Sequence, residues 1–263
     1  NKISSLIIKM LISRTRLFLI TIVLIFAFVC RLTESASVSK RSYDYEDFGT
    51  GPEDTSKFDG HLKCSILSTR WSIEKYTREI NLNLENITTI DADTFAGFRN
   101  LEALILSNNF IEYIHPDTFS ELLNLKSLNL TSNRINEIDP ELFNNLINLE
   151  TLNVEDNQLS LIHQLTFFNL KTLHVLNLAA NKHKRIDTDT FMDTKALRHL
   201  YLQNNQIAII QAKAFNDLAQ LVTLDLSGNQ LKSIDNHLFA GLVRLSYLDL
   251  SRNQVTKFQA RSL

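Results

Sequence analysis

Side chains suited to ligand binding recur at a fixed spacing in the last third of the chain. His199 and Tyr201 are followed at regular intervals by Asp225 and then by Tyr247 and Asp249. Aromatic and charged side chains that converge on a small area carry most of the binding energy of protein interfaces. We therefore predict that these five residues bind a ligand. An ordinary varied solvent face, on which Tyr and His are also common, is the alternative.

The sequence lacks the motifs of common catalytic centres. It contains no G-x-S-x-G, no H-E-x-x-H and no phosphate-binding loop, which argues against hydrolase, zinc protease and nucleotide chemistry. Only Cys30 and Cys64 occur, so zinc ligation by cysteine lacks the necessary companions. We predict no enzyme, no metal site and no cofactor.

The predicted ligand-binding residues belong to a 24-residue repeat. Most units read L-x-x-L-x-L-x-x-N-x-L-x-x-L-x-x-x-x-F-x-x-L-x-x, and they start at Leu101, Leu125, Leu149, Leu173, Leu197, Leu221 and Leu245. The fourth and sixth positions are apolar and alternate with other side chains, as in a strand with one buried face. Stacked strands predict a parallel sheet, from which the third and fifth positions point outward.

Two further positions of the repeat are nearly uniform. The ninth is asparagine, whose amide can satisfy backbone groups where the chain turns inward. These structural asparagines are Asn109, Asn133, Asn157, Asn181, Asn205, Asn229 and Asn253. The nineteenth position is phenylalanine in six units, with Phe95 ahead of them, which predicts a stack of rings behind the sheet.

His183 breaks the repeat at its eleventh position, where other units have Ile, Leu or Val. Thr194 replaces leucine at position 22 of the same unit. A buried imidazole needs a hydrogen-bond partner. The sequence predicts that Thr194 supplies this partner or that the coil bulges and exposes both residues. An imperfect repeat is favoured over a pH switch.

Residues 80–263 resemble the 24-residue class of extracellular leucine-rich repeat proteins. This class includes Toll ectodomains, Slit-type proteins, small leucine-rich proteoglycans and secreted leucine-rich immune proteins. The resemblance implies an α/β solenoid, a leucine-rich repeat horseshoe with a parallel β-sheet on its concave face. The resemblance also implies that the protein recognises a ligand. It does not identify that ligand, because the same scaffold serves many partners.

The chain divides into four predicted segments: residues 1–36 (signal peptide), 37–60 (flexible acidic linker), 61–79 (amino-terminal cap) and 80–263 (one degenerate, six full and one truncated repeat). In the degenerate repeat, Leu82, Leu84 and Asn86 match the template if one residue is missing. The last repeat stops at Leu263 in the phenylalanine position, which predicts a truncated chain.

The first segment has the order of a secretory signal peptide. Basic residues precede an apolar run from Leu17 to Cys30, small residues follow the run, and Met10 lies where such a peptide would begin. The run is shorter than the ~18 residues of a spanning helix, and an uncleaved anchor is the alternative. We expect a secreted or extracellular protein, or a cell-surface protein if the chain is a receptor fragment.

Cleavage of the signal peptide would leave Cys64 as the only cysteine of residues 37–263. It is predicted to be free, to be joined to another chain in a disulfide-linked dimer, or to pair with a cysteine beyond the end of this sequence. Residues 37–263 carry 22 basic and 28 acidic side chains, which argues against nucleic acid and anionic membranes as partners. Tyr43 and Tyr45 lie among acids, as in sulfated tyrosine segments or in a merely solvated linker.

Two sequons predict N-glycosylation, at Asn86 and Asn129. Asn86 could instead join the structural asparagines and be inaccessible. The leading interpretation is a secreted protein that recognises proteins or pathogen surfaces, including a glycan ligand, through its concave face in innate immunity. The alternatives are the ectodomain of a Toll-like or adhesion receptor and a matrix protein similar to small proteoglycans.

Overall fold

Short strands joined by turns make up most of the folded chain. A computed structural model describes residues 60–63, 66–67, 72–235 and 237–258. The predicted signal peptide, most of the acidic linker, Cys64 and Leu263 lie outside the described residues. None of the helices in the described part of the chain is long and apolar enough to cross a membrane.

The strands follow the repeat along the chain. They are β1 (His61–Leu62), β2 (Glu79–Asn81), β3 (Thr89–Ile90), β4 (Ala103–Ile105), β5 (Ser127–Asn129), β6 (Thr151–Asn153), β7 (Val175–Asn177), β8 (Arg185–Ile186), β9 (His199–Tyr201), β10 (Ile209–Ile210), β11 (Thr223–Asp225), β12 (Ser233–Ile234), β13 (Tyr247–Asp249) and β14 (Lys257–Phe258). A 3-10 helix covers Pro116–Phe119. Within the described residues, turns form most of the remaining connections.

Eight strands form one parallel sheet in the order β13-β11-β9-β7-β6-β5-β4-β2. Register partners lie one repeat apart in the chain, as in Leu104 with Leu128 and Leu128 with Leu152. These central leucines are fully buried, while the residues on either side of each are partly exposed. The predicted parallel-strand solenoid is therefore confirmed.

The core lies between this sheet and the phenylalanines of the opposite wall. Phe167, Phe191 and Phe215 are nearly parallel, with ring centroids 6.0 Å apart in both successive pairs. Phe239 continues the series 6.4 Å beyond Phe215. Each ring belongs to a different coil, so ring contacts of this kind join neighbouring coils behind the sheet.

The first coil aligns with the 24-residue template without a missing residue. The alignment of Leu82, Leu84 and Asn86 that the sequence predicted for this coil was therefore wrong. Ile80 pairs with Leu104 in register, so Ile80 and Leu82 occupy the buried strand positions. Leu84 is instead 68% exposed. The asparagine position, one repeat before Asn109, is held by Glu85, while Asn86 lies in the left-handed region (φ 59°) and is exposed.

Residues ahead of this coil cover one end of the core. β1 pairs in parallel with β3, and Leu62 and Leu67 are fully buried. The buried hydroxyl of Thr94 donates to the carbonyl of Leu62 at 2.9 Å. Short strands, buried leucines and this hydrogen bond are features of a capping segment.

The eighth position of every repeat has a left-handed backbone. Its residues are Asn108, Ser132, Asp156, Ala180, Asn204, Gly228 and Arg252, with φ between 52° and 65°. The amides of the first six of these residues donate to carbonyls of the next coil, as from Ala180 to Gln203 at 2.9 Å. Only glycine adopts this left-handed backbone without a steric cost. Other residue types occur here because the turn and the hydrogen bond between coils fix the conformation.

Gly241→Ala is expected to lower the free energy of unfolding by about 2 kcal/mol. A Cβ atom at this position would lie 2.6 Å from Cα of Asn216 in the preceding coil and would also overlap the Asn216 carbonyl. Backbone cannot move aside as a flexible side chain can, so the coils would have to separate. Guanidinium unfolding monitored by circular dichroism measures the change.

Asp217→Ala serves as the control for this substitution, because Asp217 is exposed one residue after the crowded Asn216 backbone. We expect its effect to stay within about 0.5 kcal/mol. Equal unfolding midpoints for Gly241→Ala and Asp217→Ala would show that the two coils tolerate a methyl group between them.

Candidate functional site

The ninth-position asparagines connect each coil to the one before it. Asn157 Oδ1 accepts from the amide of Ile135 at 3.0 Å. Its Nδ2 donates to Leu130 O at 3.0 Å in the preceding coil and to Val154 O at 3.2 Å in its own coil. The same pattern is repeated at Asn109, Asn133, Asn181, Asn205, Asn229 and Asn253. These amides are occupied by backbone groups and hold the scaffold together.

His183 is buried in the core, and both sequence expectations about it were wrong. The side chains of His183 and Thr194 are fully buried, so the coil does not bulge. Thr194 Oγ1 donates to Phe191 O at 3.0 Å and is not the partner of the imidazole. Neither ring nitrogen of His183 makes a hydrogen bond. Burial lowers the pKa of His183 to about 4.

Three neighbouring strands present the five predicted ligand-binding residues on one face. His199, Thr223 and Tyr247 are register partners in one row, and Tyr201, Asp225 and Asp249 are register partners in the other. All six side chains are partly exposed. We call these six residues the sheet-face array. It is two rows deep and three strands wide.

Local contacts hold the array in place. The rings of His199 and Tyr201 stack, with centroids 6.5 Å apart and planes 9° from parallel. The Tyr247 hydroxyl donates to Asp249 Oδ2 at 3.4 Å. Burial lowers the pKa of His199, and nearby Arg198 lowers it further.

The two aspartates of the array experience each other's charge. Burial raises the pKa of Asp225, hydrogen bonds from Ser227 lower it, and the Asp249 carboxylate raises it. Burial also raises the pKa of Tyr247 to about 12, and both aspartates contribute to that shift. Both shifts are caused first by burial and then by the neighbouring aspartate charges, so the side of the array that holds Asp225, Asp249 and Tyr247 is partly dehydrated and acidic.

The fifth position has a structural role that sequence reasoning missed. Asp225 Oδ1 accepts from the amide of Ser227 at 2.9 Å, and Asp249 Oδ1 accepts from that of Ser251 at 2.7 Å. Asparagine makes the same bond to the residue two positions later in other coils, at Asn129, Asn153 and Asn177. The recurrence of Asn and Asp at this position is visible in the sequence and could have revealed the turn.

The two predicted glycosylation sites differ in accessibility. Asn86 is exposed and does not join the structural asparagines, contrary to the alternative raised above. Asn129 is half buried on β5, and its Oδ1 accepts from the amide of Thr131 at 3.0 Å. Glycosylation at either residue stays a prediction.

A separate polar cleft of about 250 Å³ lies at the amino-terminal end of the sheet. It is lined by Arg78, Asn100, Glu102, Asn124 and Lys126. Glu102 pairs with Lys126 at 2.7 Å and with Arg78 at 2.9 Å. The hydrogen bond from Lys126 is the main reason that the pKa of Glu102 is lowered. The sequence predictions missed this cleft, although its three charged residues occupy equivalent positions in consecutive coils.

No cluster of three or more His, Cys, Asp or Glu side chains within the described residues is arranged to hold a metal ion. The sheet-face array has two carboxylates on adjacent strands, and its histidine, His199, does not complete such a cluster with them. Its chemistry is that of hydrogen bonding, charge and aromatic contact with a ligand.

Comparison with known structures gives several leucine-rich repeat proteins. The TLR13–ssRNA13 complex matches with 30% identity and a TM-score of 0.69, over 75% of this chain and 27% of that one. The Drosophila Toll–Spatzle complex matches with 24% identity and a TM-score of 0.58, over 69% and 29%. The LRIM1/APL1C complex matches with 23% identity and a TM-score of 0.54, over 75% and 43%.

The chain thus spans less than half of the length of each of these structures. The comparison with curated protein sequences gives no match. The leucine-rich repeat family model matches residues 75–135, 123–171, 147–207 and 202–255, which together cover more than half of the chain. With its parallel-strand solenoid and its repeated asparagines, the chain belongs to the leucine-rich repeat family.

Proposed function

We propose that the protein is a secreted recognition protein that binds a protein ligand on the sheet-face array and acts in innate immunity. The array carries this proposal, because it presents partly buried aromatic and charged side chains on one uninterrupted face. Such side chains are the usual anchors of protein interfaces. The resemblance to TLR13 at 30% identity supports recognition as the activity. The asparagines of the repeat are engaged with backbone and would not react with a substrate.

A Toll-like receptor ectodomain is the second candidate, supported by the same similarity. The TLR13 structure contains ssRNA, so the net charge of this chain does not by itself exclude a nucleic acid. The array nonetheless has two carboxylates and no lysine or arginine among its six residues. Phosphate groups would be repelled there, which favours a protein ligand.

Replacing both array tyrosines by alanine is expected to weaken ligand binding by at least about 2 kcal/mol, or roughly thirtyfold. Tyr201 and Tyr247 lie on the outward face and not in the core, so the variant should still fold, with an unfolding midpoint lowered only by the loss of the contacts with His199 and Asp249. The full chain, immobilised, captures ligands from extracellular fluid, and surface plasmon resonance measures the affinity of the captured protein for each variant.

The control carries Tyr76→Ala and Tyr113→Ala, which remove two tyrosines that are 71% and 55% exposed and lie outside the array. A third variant, Thr131→Ala, removes the Asn129 sequon. Equal affinity of the array variant and the Tyr76/Tyr113 control would move the binding site away from the array. A loss of binding only on deletion of residues 42–58 would assign it to the acidic linker.

A further inference from the structure

The two aspartates of the sheet-face array are placed so that a positive charge would stabilise them. Asp225 and Asp249 are register partners on adjacent strands, which are spaced about 4.8 Å apart in a sheet. Like charges directly opposite each other on neighbouring strands destabilise the sheet. A cation bound between them would remove this repulsion.

Each aspartate keeps part of its hydrogen-bonding capacity for a ligand. In both residues Oδ1 holds the turn after the strand, through Ser227 or Ser251. Oδ2 of Asp249 receives only a long 3.4 Å bond from the Tyr247 hydroxyl. Asp225 also accepts a side-chain hydrogen bond from Ser227, and both aspartate side chains are partly exposed on the face of the array.

Aromatic rings flank these carboxylates on two sides. Tyr201 is the register partner of Asp225 on β9, and Tyr247 lies two residues before Asp249 on β13. The face of a tyrosine ring attracts guanidinium and ammonium groups, more strongly where water is partly excluded. Carboxylates between aromatic rings therefore form a surface that is complementary to a basic side chain.

We propose that the sheet-face array binds an arginine side chain of the protein ligand. Asp225 and Asp249 accept hydrogen bonds from the guanidinium group, and Tyr201 and Tyr247 contact its planar faces. Arginine fits better than lysine because its planar fork donates to two acceptors at once and stacks on aromatic rings. The inference rests on the proposed function, since it assigns the chemistry of the ligand at the same surface.

The test uses a variant with Asp225→Asn and Asp249→Asn in the full chain. Asparagine already makes the same turn bond at Asn153 and Asn177, so these changes remove the charges and keep the turns. The control removes two exposed carboxylates that lie outside the array, by Glu112→Gln and Glu137→Gln. Both variants therefore have the same net charge.

Fluorescein-labelled hexa-arginine is the probe, and hexacitrulline is its neutral isostere. At low salt we expect hexa-arginine to bind, with a dissociation constant at least about tenfold higher for the aspartate double variant than for the Glu112/Glu137 control. Hexacitrulline should not bind measurably. Equal loss in the two variants, or equal binding of the two peptides, would overturn the proposal. Tighter binding of a single-stranded RNA hexamer at this face would also overturn it.

The captured protein separates this inference from the proposed function. If the captured protein binds the tyrosine variant more weakly but binds the aspartate variant with unchanged affinity, arginine recognition is rejected. The array then still stands as the binding face. Unchanged affinity in both variants, with hexa-arginine still dependent on Asp225 and Asp249, would reject the proposed function and retain the basic-group site.

Discussion

Asn157→Ala is expected to lower the free energy of unfolding by about 3 kcal/mol. The amide of Ile135 would lose its acceptor in a buried position, since Asn157 Oδ1 is bonded to it at 3.0 Å. Leu130 O would keep the hydrogen bond from Asn133, and Val154 O would keep the one from Asn181. The unpaired amide of Ile135 is therefore the main cost in free energy. Chemical denaturation followed by circular dichroism gives the difference.

The neighbouring Gln158→Ala is the matched control. Gln158 is exposed and receives only a surface hydrogen bond from Lys182. Its replacement should change the free energy of unfolding by less than about 0.5 kcal/mol. A loss below about 1 kcal/mol for Asn157→Ala would mean that water replaces the side chain, and the structural role of the asparagines would be refuted.

His183→Leu is expected to stabilise the protein by about 2 kcal/mol at neutral pH. Both ring nitrogens are buried without a hydrogen bond, which costs free energy that an apolar side chain avoids. Leucine or isoleucine holds the same position in most neighbouring coils, so the space accepts it. Unfolding midpoints at pH 7.5 in guanidinium, about one unit above the ordinary histidine pKa, measure the gain.

Acid should enlarge this difference between the two proteins. The folded pKa of His183 is about 4, below the ordinary value of 6.5, so the unfolded chain takes up a proton first as the pH falls. The part of the free energy of unfolding that depends on neutral His183 is therefore fully present above pH 6.5. It is lost as the pH falls from 6.5 to 4. The wild-type protein should lose about 3 kcal/mol more than His183→Leu over that window. Parallel curves for the two proteins would show that the imidazole is hydrated in the folded state.

The regular spacing of the repeat was sufficient to predict the parallel sheet and the buried leucines, because strand pairing and burial both follow that period. The sequence placed all five array residues on one face for the same reason. The sequence reasoning missed that one oxygen of Asp225 and of Asp249 is used in a turn, although the recurrence of Asn and Asp at this position indicates such a turn. It also misaligned the first coil, because Glu85 replaces the asparagine that marks the turn elsewhere.

The environment of His183 was beyond sequence reasoning for a different reason. Thr194 is a chemically suitable partner, but its hydroxyl bonds to Phe191 in its own turn. A carbonyl of the same turn lies within reach of a threonine hydroxyl whatever the packing, whereas a contact with the imidazole depends on how two segments of the coil pack. Composition alone does not decide between these two partners.

The constant register of the sheet also determines how fast the chain can fold. Every strand pair in the described repeats joins residues one repeat apart, so closing each coil costs the same loop entropy however many coils there are. Relative contact order therefore falls as coils are added, in contrast to sheets whose partners lie far apart in the chain. Folding should begin at one pair of neighbouring coils and then extend in both directions, each new coil docking on a finished template.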